Sequence, residues 1–407
     1  MKKVRFIHGA DIHLDSPMIG LQSLPENIFK RLQESTFKAF SNLIDLAITN
    51  QVDFIILAGD LFDNENRSIR AQVFLRKEME RLGKEDIDVF LIHGNHDHLS
   101  GNWTEIKWPS NVHVFGEQVE VKFIQTKEDS TVHLYGFSYP ERHVLEKKIN
   151  DYHRKIGADF HIGILHGNAE GNQDHGNYAP FQIKDLLEKE FHYWALGHIH
   201  KRALLHSEPP IIYPGNTQGR YRKETGVKGC YLVNLSESGS ELLFLETSDI
   251  VWKEVTIDAS NCPSFHELYQ LIQDSLEKER VDGKGIIVNL KIVNLSLDSK
   301  DVSSTAIEEL LEMIQEDEKD FESFVWPNKI DVEEQLIWDR EELAKNSDFY
   351  EELFEVMDQF DEKEETLAPL YKHHNVRKFL NALTEKEENE LLEDAKALLI
   401  EKLLRNG

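Results

Sequence analysis

Five short blocks in the first half of the chain combine carboxylate, imidazole and amide side chains. They are Asp11-Ile-His13, Gly59-Asp60-Leu-Phe-Asp63, Gly94-Asn95-His96-Asp97, His166-Gly-Asn168 and Gly197-His198-Ile-His200. Asp11, His13, Asp60, Asn95, His166, His198 and His200 together offer oxygen and nitrogen donors. Such a mixture suits divalent cations of borderline hardness, Mn²⁺, Fe²⁺ or Zn²⁺. Two such ions ~3.5–4 Å apart can clamp the attacking and leaving oxygens of a phosphoryl displacement. One carboxylate can bridge the pair, and a water held between them is acidified towards hydroxide at neutral pH. The chemistry expected of the set is two-metal phosphoester hydrolysis, with that hydroxide as the nucleophile.

No block decides this alone. Asp11-x-His13 is equally consistent with a surface turn, Gly59-Asp60 with an ordinary strand-to-turn pair, and His166 with a hydrogen-bonded strand-end histidine. Placement is what separates the readings. Each block follows a short apolar run, at residues 4–8, 53–57, 88–92, 160–165 and 192–196, and each run has the composition of a buried strand. Open α/β sheets gather their ligands beyond the carboxyl ends of the strands, so loops distant in sequence can meet at one point. Helical spacing over 26–51 and 67–83 predicts helices between the first strands. From about residue 111 short strands dominate, at 111–115, 131–137, 211–213 and 228–235. βαβ units followed by runs of strands predict an α/β (α+β) fold with two sheets face to face and helices outside.

D-x-H, G-D-x-x-D, G-N-H-D, H-G-N and G-H-x-H in this order resemble the calcineurin-like metallophosphoesterase superfamily. Within it, Asp11-Ile-His-Leu14, Gly59-Asp-Leu-Phe-Asp63 and Pro214-Gly-Asn-Thr-Gln-Gly-Arg220 resemble the SbcD-type DNA-repair nucleases. The resemblance implies a four-layer αββα sandwich over residues 1–250. It assigns Asp11, His13 and His200 to one metal, Asn95, His166 and His198 to the other, and Asp60 to the bridge, with Mn²⁺ the metal expected. It makes His96 the residue that protonates the leaving oxygen or stabilises the transferring phosphate. Asp63 resembles the position that orients this histidine, with a turn-capping carboxylate as the alternative. It further implies DNA as substrate, an SMC-like coiled-coil ATPase as partner and a homodimer.

Arg67, Arg70, Arg202, Arg220 and Arg222, with Lys201 and Lys223, flank the motif loops and could neutralise phosphates on either side of a scissile bond. Trp103 and Tyr221 could stack on bases. With no base-reading motif, such a track implies cleavage without sequence preference. The formal net charge of −28 in 407 residues opposes polyanion binding. The charge is uneven, however. Residues 301–407 carry 31 acidic and 12 basic residues, a balance of −19, leaving −9 for residues 1–300. Two divalent cations would also bring about four positive charges to the crevice.

Residues 251–330 read as a smaller α/β capping module, with strands at 252–257 and 285–295 and helices at 264–279 and 304–315. Residues 331–407 read as an acidic helical segment that either folds on its own domain or docks a partner. There a capping box at Thr384-Glu-Lys-Glu387 opens a helix carrying Leu391, Leu392, Ala395, Leu398, Leu399 and Leu403. Cys230 and Cys262 form no metal-spaced pair, and no apolar run has the length of a signal-peptide core or a membrane span. A cytoplasmic protein is expected. The leading expectation is a metal-dependent DNA exonuclease or endonuclease in repair or recombination. Two other readings remain: a phosphodiesterase or phosphatase for a small or phosphoprotein substrate, and a regulatory subunit of an SMC-like ATPase.

Overall fold

The computed structural model describes residues 2–21, 23–63, 67–101, 103–104, 106–170, 178–295, 304–333, 340–360 and 366, and within 391–403 all but 394, 397 and 401. The chain opens with β1 (Lys3–Gly9), α1 (Glu26–Thr49), β2 (Phe54–Ala58), α2 (Ile69–Lys84) and β3 (Asp88–Ile92). Short strands follow: β4 (Val112–Val114), β5 (Glu120–Gln125), β6 (Thr131–Gly136) and β7 (Phe160–His166). After α3 (Ile183–Leu187) come β8 (Tyr193–Gly197), β9 (Ala203–Ser207), β10 (Pro210–Tyr213), β11 (Gly229–Ser236) and β12 (Gly239–Glu246).

Two six-stranded sheets result, ordered β12-β11-β1-β2-β3-β4 and β5-β6-β7-β8-β10-β9. β1 to β4 are parallel, as are β6, β7, β8 and β10. The central strands β2, β7 and β8 are buried along their whole length, which parallel strands covered on both faces require. Alternate residues of both sheets, among them Phe6, Phe54, Phe90, Leu134, Ile162 and Tyr193, fill the layer between the sheets. The opposite face of the first sheet packs on α1 and α2 through Ile55, Leu57, Phe40, Leu43 and Leu75. That of the second packs on α3 through Leu165, Trp194 and Leu186. The layers are therefore helix, sheet, sheet, helix. α1 buries Ile28, Leu32, Phe40, Leu43, Ile44 and Ala47 at helical spacing. α2 starts at Ser68, whose hydroxyl oxygen accepts the Ala71 N–H at 3.0 Å.

Next come β13 (Ile250–Asp258), α4 (Phe265–Glu279), β14 (Gly285–Val293), α5 (Ser304–Glu318) and β15 (Val325–Val332), with a third sheet ordered β13-β14-β15. β15 has no counterpart among the expected strands because Pro327 interrupts its pattern. It is an outer strand, where a missing N–H is tolerated. This sheet shares a core with α1: Ile28 and Leu32 meet Ile250, Trp252, Ile287 and Trp326. Arg31 reinforces the contact by forking onto Asp249 at 3.0 and 2.9 Å and donating to the Gly283 carbonyl at 2.7 Å. An Arg31→Ala protein would leave the mostly buried Asp249 carboxylate without its cation. A loss of about 2 kcal/mol in denaturant unfolding is expected; an unchanged midpoint would remove Arg31 as the fastening.

Residues 258–265, 292–298 and 332–407 cluster as a second compact unit. In it α6 (Arg340–Asn346) packs on α7 (Asp348–Gln359), with Arg340 paired to Asp358 and lying 4.8 Å over the Phe354 ring. Leu391, Leu398 and Leu399 are exposed helical residues, whereas Ile400 is buried. The capping box expected at 384–387 lies outside the described residues. Among the described residues no helix is long and apolar enough to cross a membrane.

Candidate metal centre

All five motif loops leave the carboxyl ends of β1, β2, β3, β7 and β8 and converge. The loops after β1 and β2 run side by side, through Asp11 N to Gly59 O at 3.1 Å, His13 N to Asp60 O at 3.0 Å and Leu14 N to Leu61 O at 2.9 Å. Asp11, His13, Asp60 and His198 adopt positive φ of 52°, 46°, 51° and 99°. Non-glycine residues there cost about 1–3 kcal/mol each, and such strain clusters at functional sites. The Asp11 carboxylate accepts the His198 N–H at 3.0 and 3.1 Å, tying a loop of one sheet to a loop of the other.

Two groups of ligand atoms form. Asp11, His13 and His200 make one, and Asp60, His166 and His198 the other. Asn95 Oδ1 joins the second, 3.0 Å from His166 Nε2 and 3.1 Å from His198 Nδ1. Asp60 Oδ2 lies 3.3 Å from His166 Nε2 and 3.9 Å from His13 Nε2, so it faces both groups.

The chain's own hydrogen bonds fit these groups to cations. His200 Nδ1 lies 2.7 Å from the Glu224 carboxylate and His13 Nδ1 lies 3.3 Å from that of Asp63. Carboxylates only accept, so His200 Nδ1 carries the proton and its Nε2 a lone pair, whereas His13 Nδ1 faces Asp63 without a hydrogen bond; the second nitrogen of each ring is Nε2. Those two Nε2 atoms are 3.1 Å apart, an arrangement that favours a cation between them. In the other group the His166 Nδ1–H donates to the Ala58 carbonyl at 2.9 Å, which turns Nε2 towards Asn95 Oδ1 and Asp60. Carboxylates, imidazoles fixed by second hydrogen bonds and an amide oxygen are a donor set for divalent transition ions.

Electrostatics agrees. Burial, with Arg220 adding to it, pushes His13 down to about 3 and keeps it a neutral donor. Burial raises Asp11 to about 6 against the opposing pull of His200 and His166. Burial would raise Asp60 as well, but the His166 and His13 imidazoles hold its carboxyl well below the usual range. Burial would lower His166, yet the Asp60 and Asp11 carboxylates bring it up to about 9. That corner of the site demands positive charge, which a cation supplies once His166 releases its proton.

His96 lines the adjoining cleft, of about 460 Å³, with Asp60, His198, His200, Lys201, Arg220, Tyr221, Lys223 and Lys228. Its backbone N–H donates to Asp60 Oδ1 at 2.9 Å. The expectation for Asp63 needs correction. His96 Nδ1 donates to the Asp63 backbone carbonyl at 2.7 Å, while the carboxylate turns to His13 and pairs with Arg220.

The arginines separate. Arg67 is buried, contrary to a role on substrate: it donates to the Asp97 and His98 carbonyls, and its guanidinium stacks 3.5 Å over Trp103. Trp103 is thereby engaged by an arginine instead of a base. Arg70 is exposed but paired with Glu34 and, at 3.8 Å, with Asp15. Arg202 lies 4.1 Å over Phe244. Arg220 lines the cleft and is bound to Asp63, whereas Arg222 is exposed and is not among the residues lining it.

Three participants have no role in the sequence reading. Asp97 accepts from Gly94 N at 2.7 Å, Leu61 N at 3.0 Å and His93 Nδ1 at 3.0 Å, clamping two ligand loops with one carboxylate. Its place in G-N-H-D was the available signal. Glu224, pulled down to about 2 by His200 and Arg220 against its burial, has no motif to announce it. Neither has Lys228, whose Nζ lies 3.4 Å from the His200 carbonyl.

Residues 4–202 match the calcineurin-like phosphoesterase family. The chain is 41% identical over 397 residues to the uncharacterized metallophosphoesterase YhaO of Bacillus subtilis (strain 168), covering 97% of this chain and 96% of that one. It is 28% identical over 253 residues to the DNA double-strand break repair protein Mre11 of Sulfurisphaera tokodaii, covering 58% of this chain and 61% of that protein. Identity to the protein of the same name in Methanocaldococcus jannaschii is 24% over 345 residues, covering 75% and 88%. With its two ligand groups meeting at Asp60, the chain belongs to the calcineurin-like metallophosphoesterases.

Proposed function

We propose that this chain is a two-metal phosphodiesterase that cuts DNA without sequence preference, as an exonuclease or endonuclease in repair or recombination. The observation that carries the reading is Asp60 Oδ2, placed within 4 Å of both His13 and His166. Asp11, His13 and His200 would hold one ion and Asn95, His166 and His198 the other, with Asp60 facing both groups. Two divalent cations, with Mn²⁺ suited to these mixed donors, supply Lewis acidity and an acidified water when bound. His96 donates its Nδ1–H to the Asp63 carbonyl, which leaves Nε2 facing the cleft; to protonate the leaving oxygen, Nε2 must carry the ring's second proton, which it then gives up.

A polymeric substrate is supported by cations at the cleft. Lys201, Lys223 and Lys228 line it with Arg220. The Mre11 relatives are named for DNA double-strand break repair. Under this reading residues 1–250 form the nuclease domain and 251–330 cap it. The acidic helices of 331–407 meet an SMC-like coiled-coil ATPase, for which Phe349 and Val356, exposed on α7, offer apolar contact. The cleft's volume also suits a small phosphodiester, and one assay separates the two substrates.

Purified protein with Mn²⁺ is offered linear duplex, closed circular DNA, single strands and a chromogenic phosphodiester. Cleavage of DNA is expected, and a Lys228→Ala protein should show a salt slope for DNA binding shallower by about 1. Hydrolysis of the chromogenic ester with every DNA intact would overturn the nucleic-acid reading.

A further inference from the structure

The two ligand groups are oriented by different kinds of neighbour. In the Asp60 group, His166 is fixed by a backbone carbonyl of β2, Ala58 O at 2.9 Å, inside the central sheet. In the Asp11 group, His200 is fixed by a side chain, Glu224, at 2.7 Å. Glu224 lies beyond residues 4–202, the span that matches the family.

Glu224 is held in turn by its own segment. Its second oxygen accepts from Asn216 Nδ2 at 2.9 Å and from Arg220 N at 2.8 Å. That segment is fastened to the start of β13. Gln218 Oε1 accepts from Asp249 N at 2.9 Å, its Nε2 donates to the Ile250 carbonyl at 2.6 Å, and Trp252 Nε1 donates to the Gly219 carbonyl at 3.2 Å. Gly226 N closes the segment onto the Trp252 carbonyl at 2.8 Å. A continuous set of contacts therefore runs from the third sheet through residues 216–226 to the Asp11 group, reaching His200 through Glu224 and His13 through Arg220 and Asp63.

We propose that Glu224 is a positioning residue that makes one cation site, that of Asp11, His13 and His200, depend on the 216–226 segment and on β13, while the Asp60, Asn95, His166 and His198 site does not. The inference rests on the two-metal reading above. With Glu224 in place, His200 presents Nε2 at a fixed angle. Without it the ring, one-quarter exposed at its side chain, is free to turn or to offer the wrong nitrogen. Losing such an orienting partner typically weakens metal binding about 10–100-fold.

The test is Mn²⁺ titration of the full chain, reading stoichiometry and affinity by calorimetry, and the spin coupling of neighbouring ions by electron paramagnetic resonance. Wild-type protein should bind two equivalents with a coupled signal. Glu224→Ala should keep one equivalent at wild-type affinity, weaken the other about 10–100-fold and lose the coupling at sub-saturating Mn²⁺. Glu224→Gln, which preserves the volume, should weaken the same equivalent by less, and it decides the matter if the alanine protein fails to fold. Equal weakening of both ions, or two ions at wild-type affinity in both variants, would overturn the proposal while leaving the two-metal reading intact. A wild-type protein that binds fewer than two ions would overturn both.

Discussion

His96→Ala protein is expected to retain two equivalents of Mn²⁺ and to lose about 10²–10⁴-fold in kcat. The separation of the two readouts follows from which atoms of His96 are used. Its backbone N–H, which any residue supplies, holds Asp60 Oδ1 at 2.9 Å, so the oxygen between the two ligand groups stays placed in the variant. Its ring belongs to neither group. It stands edge-on to His13, 5.0 Å between centroids, with Nδ1 occupied by the Asp63 carbonyl. Removing it takes away a proton donor or a charge partner for the phosphate and nothing that grips an ion. Metal analysis alongside single-turnover kinetics checks this. Loss of an ion would return His96 to the ligand set, and undiminished turnover would strip it of any chemical part.

Gly94→Ala should be equally damaging by another route. A Cβ at residue 94 would stand 2.3 Å from Asp60 Oδ1 and 2.7 Å from His166 Nε2. Neither neighbour is the free end of a flexible chain. Asp60 is held by the His96 amide, and His166 by the Ala58 carbonyl. The new methyl therefore displaces the shared carboxylate or one ring. A displacement near 1 Å at such a centre costs about 10²-fold in rate, and here it also disturbs binding. Mn²⁺ should fall below two equivalents, with activity lower by at least about 10²-fold. Gly116→Ala is the control, because nothing lies within 4 Å of its added Cβ. Two full equivalents in Gly94→Ala would show that the loop yields more easily than its contacts indicate.

Much of the sandwich was legible because its central strands are continuous apolar runs, each ending in a motif. Burial on both faces of β2, β7 and β8 leaves little room for a different composition. Of the edge strands, β4 and β13 were legible, but β5 and β15 were not. β5 alternates exposed and half-buried positions, and β15 carries a proline. At the centre, residue types pointed to the candidate ligands, since few other arrangements bring carboxylate and imidazole to five strand ends. Second neighbours were harder. Asp63 acts on His96 through a carbonyl, which every residue possesses, so its side chain misled. Glu224 reaches His200 across a turn whose path only the fold reveals. Arginine is ambiguous for a related reason. The same guanidinium serves a phosphate or, as in Arg67, a tryptophan face and two carbonyls.

Each ligand group draws on both sheets. Asp11 and His13 follow β1 and His200 follows β8, whereas Asp60 and Asn95 follow β2 and β3, His166 ends β7 and His198 follows β8. An ion seated in either group thus acts as a rivet through the sandwich, joining its halves at the rim where the chain is most contorted. Occupancy and folding become one linked equilibrium, and the protein's resistance to heat should track the free concentration of ion around it.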